Sequence, residues 1–328
     1  MGKRFFIKLL ICMILICATA FCVTACDKGD ENENLPCNHT YVDGYCSKCS
    51  EKRESKGLEF KLNSDANSYS VTGIGSCTDT DVVIPKNYKG KKVTAIGDDA
   101  FKGCDNLTCV TIIDGITSIG KYAFSDCGAQ IKYEENPTLS KIDRYAFSRY
   151  KGESITIPDT VTVINDCVFY NCIWLKTVVL PDSLTKISDN AFFGCEFLEN
   201  IQIPQSVTFI GDHAFDGCVS ITNLTLGENL THIGVYAFSG CGSLLSIEIP
   251  DGITDIAYRM FECCGSLESI TISANVTSIG QYTFYYCTSL ETINYKGTVD
   301  AWKKMRYRNW TGVPATKVIC SDGEIKLK

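Results

Sequence analysis

Histidine is scarce, with three in 328 residues, which leaves little from which to build a nucleophile triad. His213 and His232 fall in different columns of neighbouring segments, at variable and outward positions. There is no G-x-S-x-G elbow and no phosphate-cradling glycine loop, so hydrolase and nucleotide-dependent chemistry lack sequence support. Positive charge is also short. Lys and Arg number 31 against 38 Asp and Glu, a formal net charge of −7. No basic stripe stands out, which argues against nucleic acid as a partner. The apolar run from Leu9 to Val23 is short for a membrane-spanning helix.

What the first residues do contain is an export signal. Lys3, Arg4 and Lys8 precede the apolar run, the charge-then-apolar order of a secretory leader. The run closes on Val23-Thr24-Ala25-Cys26. That tetrapeptide resembles the lipobox of bacterial lipoproteins, which implies an acylated Cys26 as the lipid attachment and membrane anchor. Ordinary secretory cleavage, with Cys26 incidental, is the alternative. Removing residues 1–25 leaves 28 Lys and Arg against 38 Asp and Glu, a net charge of −10. Residues 27–36, acidic and without apolar periodicity, read as a flexible tether.

The dominant pattern is a block of about 23 residues that recurs nine times, opening at Val93, Ile116, Leu139, Val161, Leu184, Val207, Leu230, Ile253 and Val276. Aligned, the copies read V-T-x-I-G-x-x-A-F-x-G-C-x-x-L-x-x-I-x-I-P. Self-similarity at this period is the mark of a solenoid, in which no copy can bury its apolar face alone and stacking buries each against the next. In L-x-x-I-x-I, the terminal alternation places Ile201 and Ile203 inward and Gln202 outward on a short strand. V-T-x-I-G reads as a second short extended segment with glycine at a turn, and the A-F stretch as one helical turn. Thr117, Thr185, Thr208 and their equivalents should line up as a hydroxyl ladder. Residues 128–137 have lost the L-x-x-I-x-I pattern, which predicts a bulge or distorted strand there.

Covers are expected at both ends. In front, two strands flank Ser64-Asp65-Ala66-Asn67, followed by a partial coil at Asp81–Pro85. Behind, a capped short helix begins near Thr298, followed by two strands around Ser321-Asp322-Gly323. The resulting division is a leader at 1–25, tether at 26–36, small Cys/His segment at 37–56, N-terminal β cap at 57–92, repeats at 93–299 and C-terminal cap at 300–328.

Eight of the 20 cysteines occupy one repeat position, from Cys104 and Cys127 through Cys172, Cys195, Cys218, Cys241 and Cys264 to Cys287, with Tyr150 in the remaining copy. Stacked coils would bring neighbours to about 4.8 Å, close enough for disulfides. A cysteine recurring beside Phe and Leu reads better as a small buried hydrophobe, so reduced thiols are expected.

The block I-G-x-x-A-F-x-G-C-x-x-L-x-x-I-x-I-P resembles the BspA-type leucine-rich repeat of bacterial surface proteins, over roughly residues 58–328. The resemblance implies a mainly β α/β-type solenoid, a right-handed leucine-rich-repeat coil with a parallel sheet and single-turn helices. It also implies a non-enzymatic surface module that binds protein or glycan at the bacterial cell envelope. The fixed positions of the motif are core, so no functional residue carries over from the family. A monomer is expected. A structural spacer or assembly module of the envelope is the alternative function, and a zinc-dependent enzyme a remoter one.

Two local features could carry more than fold. Cys37-Asn38-His39 followed by Cys46-Ser47-Lys48-Cys49 supplies three thiolates and an imidazole within 13 residues, a set suited to one closed, structural zinc with Cys37, His39, Cys46 and Cys49 as ligands. A Cys46–Cys49 or Cys37–Cys49 disulfide is the competing reading. The second feature is an aromatic cluster, Tyr170, Ile173, Trp174, Phe193 and Phe197, where most other copies carry small or polar residues. Such a cluster is a candidate contact patch for a partner, or else it packs on itself or covers the irregular copies.

Overall fold

A computed structural model describes residues 41–42, 45–46, 53–134, 137–307 and 313–327. The chain divides into two units, residues 1–51 and 52–328. In the first, strands Tyr41–Val42 and Tyr45–Cys46 pair antiparallel, with Tyr41 opposite Cys46. Cys26, Cys37, His39 and Cys49 lie outside the described residues.

The second unit is a β-solenoid of about 11 turns with parallel sheets. The end of each L-x-x-I-x-I segment forms one strand per coil, as in Ser154–Thr156, Thr177–Val179 and Asn200–Ile201, which pair in parallel with partners 23 residues apart. V-T-x-I forms the second strand, as in Lys186–Ile187, Phe209–Ile210 and His232–Ile233, in the same register. Ile201 and Ile203 are buried and Gln202 is exposed, because strand side chains alternate between faces.

Between the strands the chain turns without forming a helix. Each coil holds two residues in the left-handed region, such as Asn190 (φ 55°) and Gly194 (φ 68°), or Tyr145 (φ 60°) and Arg149 (φ 53°). A right-handed helical turn cannot run through such residues, so the single-turn helices expected here are hydrogen-bonded turns instead. Among the described residues the one α-helix is Val299–Lys304, capped by the Thr298 hydroxyl, which accepts from the Ala301 amide. The glycine of I-G has a different role from the turn glycine expected. A Cβ on Gly211 would lie 2.6 Å from the Asp189 backbone nitrogen of the preceding coil. The position is glycine because the coils approach each other closely there.

Like residues meet like along the whole coil. Phe101, Phe124, Phe147, Phe169, Phe192, Phe215, Phe238, Phe261 and Phe284 form one buried spine. Successive rings stack at centroid distances from 5.1 Å for Phe124–Phe147 to 6.1 Å for Phe261–Phe284. The cysteine column runs beside it as free thiols. Cys195 Sγ donates to the Phe169 carbonyl of the preceding coil at 3.1 Å, and Cys172, Cys218, Cys241, Cys264 and Cys287 repeat that contact at 2.9–3.4 Å. A thiol therefore serves as a small hydrophobe that also satisfies a buried carbonyl. In the one 22-residue copy, Tyr150 replaces it, and its hydroxyl donates to the Ala129 carbonyl at 2.6 Å.

Two expectations change in detail. The threonine hydroxyls do not bond one another: Thr185, Thr208 and Thr231 each donate to the backbone carbonyl of the equivalent threonine one coil earlier. Residues 128–137 also hold a regular strand. Gln130–Tyr133 pairs with Cys109–Ile112 without a bulge, and the sheet breaks only after it, before Ser154–Thr156.

Both ends are closed as expected. Strand Glu59–Leu62 runs antiparallel to Ser68–Gly73 at the front, and Gly323–Lys326 antiparallel to Lys317–Cys320 at the back. The outermost strands carry Glu59 and Lys61, and Glu324 and Lys326, charges that discourage pairing with another chain.

Candidate functional site

The columns that define the repeat are consumed by packing, so any function must sit on the variable side chains between them. The five aromatic and aliphatic residues singled out above separate into two places. Tyr170 and Phe193 are half-buried and stack on each other at 5.0 Å, within 7° of parallel. They belong to a ladder of neighbouring rings that runs from Tyr122 and Tyr145 through Tyr170, Phe193 and His213 to Tyr236. Where these rings stack, their faces are occupied by one another, which leaves edges and hydroxyls at the surface.

Ile173, Trp174 and Phe197 lie in the next turn and are open to solvent, from 38 % exposed for Ile173 to 52 % for Trp174. Trp174 and Phe197 stack across adjacent coils at 6.2 Å. Two residues not anticipated from the sequence continue this flank, Val219 and Leu245, at 45 % and 43 % exposed. Backbone bonds fix the alignment. The Ser220 amide donates to Glu196, Ser243 to Val219, Leu245 to Thr222 and Glu268 to Leu245, all at 2.9–3.1 Å. Five exposed apolar side chains thus occupy four consecutive coils of one edge of the solenoid. Isolated exposed apolar residues are ordinary, whereas several gathered on neighbouring coils of one edge make a candidate contact surface.

Other groups offer little chemistry. His213 is half-buried rather than freely solvated: its Nδ1 lies 2.8 Å from Asp216 and its ring stacks on Tyr236 at 4.6 Å. His232 is exposed and stacks on Phe209. Arg259 pairs with Glu262 at 2.6 Å and lies over the rings of Tyr236, Tyr258 and Tyr282. Burial pushes the thiols of Cys172, Cys218 and Cys241 up and that of Cys127 to about 11, which leaves them protonated and poorly nucleophilic. A depression of about 190 Å³, lined by Lys102, Tyr122, Tyr145 and Arg149 among others, is smaller than the roughly 300–1,000 Å³ usual for small-molecule sites. Among the described residues no group of three His, Cys, Asp or Glu side chains is placed to hold a metal ion. Among them, too, no helix is long and apolar enough to cross a membrane.

The model of the BspA type leucine rich repeat region matches six copies, over residues 75–199 and 185–312. The chain belongs to this family. Among solved structures it is similar to a leucine rich cell surface protein of Faecalibacterium prausnitzii, at 25 % identity over 78 % of this chain and 98 % of that one, with a TM-score of 0.39. It is also similar to the leucine rich repeat protein of T. pallidum, at 23 % identity over 72 % and 88 %, TM-score 0.37. A third is the pneumococcal vaccine antigen PcpA, at 18 % identity over 79 % and 88 %, TM-score 0.44. No curated protein sequence matches. As a BspA-type repeat protein, the chain has the fold of bacterial surface proteins.

Proposed function

We propose that this BspA-type repeat protein is a non-enzymatic adhesion module, displayed at the bacterial cell envelope through an acylated Cys26, that engages a protein or glycan partner with its repeat surface. The observation that carries this reading is the exposed apolar flank Ile173–Leu245 on a coil whose repeat-defining positions are spent on packing. Tyr170 and Phe193 would support the flank from the neighbouring ladder. The Val23-Thr24-Ala25-Cys26 sequence supports the anchor. The segment carrying Cys37, His39, Cys46 and Cys49 would be a separate zinc-stabilised element between tether and repeats. Its hairpin follows Cys37-x-His39 and leads into Cys46-x-x-Cys49.

The test expresses the full chain with its leader in bacteria and measures whole-cell antibody labelling, detergent partitioning and retention of the cells on immobilised matrix proteins and glycans. Expected is surface labelling that shifts to the aqueous phase in Cys26→Ser. Retention on at least one partner should also drop when Trp174 and Phe197 are both replaced by alanine at equal surface level. Cells that bind nothing would leave the spacer reading in place of adhesion.

A further inference from the structure

Charge is distributed unevenly along the solenoid. Residues 86–186 carry 13 basic and 12 acidic side chains, a net charge of +1. Residues 187–295 carry one arginine, no lysine and 12 acidic side chains, a net charge of −11. That one arginine, Arg259, is held by Glu262 and by three tyrosine rings. Five consecutive coils therefore carry an acid excess, offset by side chains from its margins, where Lys186 lies over the Phe209 ring and Lys296 reaches Glu248 at 2.6 Å. A field of this kind steers an oppositely charged partner toward the surface and repels a like one.

The acidic field and the apolar flank coincide. Along the edge that carries Ile173, Trp174, Phe197, Val219 and Leu245 stand Glu196, Glu199, Glu268 and Glu291, all exposed. Glu199, Leu245, Glu268 and Glu291 share one row with Lys176 and Thr222: the Glu199 amide donates to the Lys176 carbonyl, Leu245 to Thr222, Glu268 to Leu245 and Glu291 to Glu268, at 2.9–3.1 Å. None of the four glutamates meets a cation among the described residues. The bases nearest this edge are engaged: Lys176 lies 3.1 Å from Glu153 on the preceding coil, and Lys151, one coil before Ile173 in the same column, pairs with Asp105.

We infer that this edge docks a cationic polypeptide segment, one that sets aliphatic or aromatic anchors against Trp174, Phe197, Val219 and Leu245 and places Lys or Arg side chains over Glu196, Glu199, Glu268 and Glu291. The inference rests on the binding-module reading above and specifies the partner class. A neutral sugar could stack on Trp174 and bond the glutamates, but it would leave the branched aliphatic groups of Ile173, Val219 and Leu245 without apolar partners and the carboxylates without cations. Sulfated or carboxylated glycans and nucleic acids are repelled by the −11 field. Branched aliphatic and aromatic anchors ringed by acid fit a basic, apolar peptide face instead.

The test measures binding of the full exported chain by fluorescence anisotropy. The probes are a labelled peptide of Lys, Arg, Leu and Trp, the same peptide with Glu in place of each base, the same with Ser in place of Leu and Trp, and sulfated and neutral oligosaccharides. The first peptide should bind in a salt-sensitive manner, and the other probes roughly tenfold or more weakly. A comparable loss is expected for Trp174→Ala/Phe197→Ala and for Glu196→Gln/Glu199→Gln, but not for Asp79→Asn/Glu228→Gln, which removes equal charge elsewhere. Equal binding of the charge-reversed peptide, or wild-type affinity in both flank variants, would overturn the inference. Binding of an oligosaccharide that needs Trp174 and Phe197 would keep the adhesion reading and discard the cationic partner. Concentration-dependent dimerisation abolished by the flank variants would reassign the edge to a second copy, again overturning it.

Discussion

Replacing Phe215 with alanine probes how the coil is held together. The ring is fully buried and lies between Phe192, at 5.2 Å and 8°, and Phe238, at 5.7 Å and 11°. Deleting a buried phenylalanine side chain costs about 3–5 kcal/mol, and the upper part of that range applies where neighbours cannot collapse into the space. Here they cannot move far, since the Phe192 and Phe215 amides each bond the next coil at 2.8 Å and so set the coil spacing. At about 2 °C per kcal/mol for a unit of this size, Tm should fall by about 6–10 °C. Phe209→Ala is the control. That ring is half-buried and stacks on His232 at 4.5 Å under Lys186, and its loss should cost about 1 kcal/mol or less. Because stability in a solenoid is a sum of nearest-neighbour interfaces, amide exchange in Phe215→Ala should rise first in the coils around Phe192–Phe238, with the end caps still protected. Equal Tm losses in the two variants, or exchange that rises only at the ends, would refute the spine as the source of cohesion.

Three further outcomes follow from the same columns. Burial raises the Cys127 thiol to about 11 and those of Cys172, Cys218 and Cys241 in the same direction, while an unfolded thiol titrates near about 8.5. The unfolded chain then holds fewer protons than the native one above that pH. The thiols' contribution is complete below about pH 8.5 and is lost as pH rises toward 11, at up to about 1.4 kcal/mol per pH unit for each. Thermal melts from pH 7 to 11 should show Tm falling steeply, and a flat profile would contradict buried, protonated thiols. Gly211→Ala should destabilise by about 1–3 kcal/mol in a denaturant titration, since the new methyl meets the Asp189 backbone; a neutral result would mean that the coils are not closely apposed there. The purified full chain should contain one zinc that disappears in Cys37→Ser, read by elemental analysis and thiol titration. Metal-free protein with those cysteines oxidised would replace the zinc with a disulfide.

Most of the architecture was legible because a 23-residue period forces equivalent residues into rows. Phe192, Phe215 and Phe238 could be placed on one another from spacing alone, whereas the end strands were legible from the polar turns between them and the helix from its Thr298 cap. The turns were not legible. Tyr145, Arg149 and Cys167 take left-handed conformations that glycine and asparagine usually signal, so the segment read as helical. The strand Gln130–Tyr133 was hidden because its inward side carries Ile131 and Tyr133 in place of the repeat's I-x-I, yet the backbone of its neighbour still templates it. Of the candidate patch, Ile173, Trp174 and Phe197 were found by their departure from the repeat consensus. Tyr170 and Phe193 departed equally but pack into the ring ladder. Val219 escaped notice as one aliphatic residue at a variable site, and Leu245 because it follows the core Leu244 and reads as part of the same apolar run. The acid excess over residues 187–295 is visible in the sequence only when charge is counted by coil rather than for the whole chain.

The central claim is that packed rows hold the coil while the exposed edge does the binding, and one paired measurement separates the two. Tm and affinity for the basic Leu/Trp peptide are recorded together for Phe215→Ala and for Trp174→Ala/Phe197→Ala, with affinity read well below either melt. The account predicts a large Tm loss with affinity kept in the first variant, and an unchanged melt with affinity lost in the second. Loss of affinity in Phe215→Ala while still folded, with full affinity in the double variant, would contradict it.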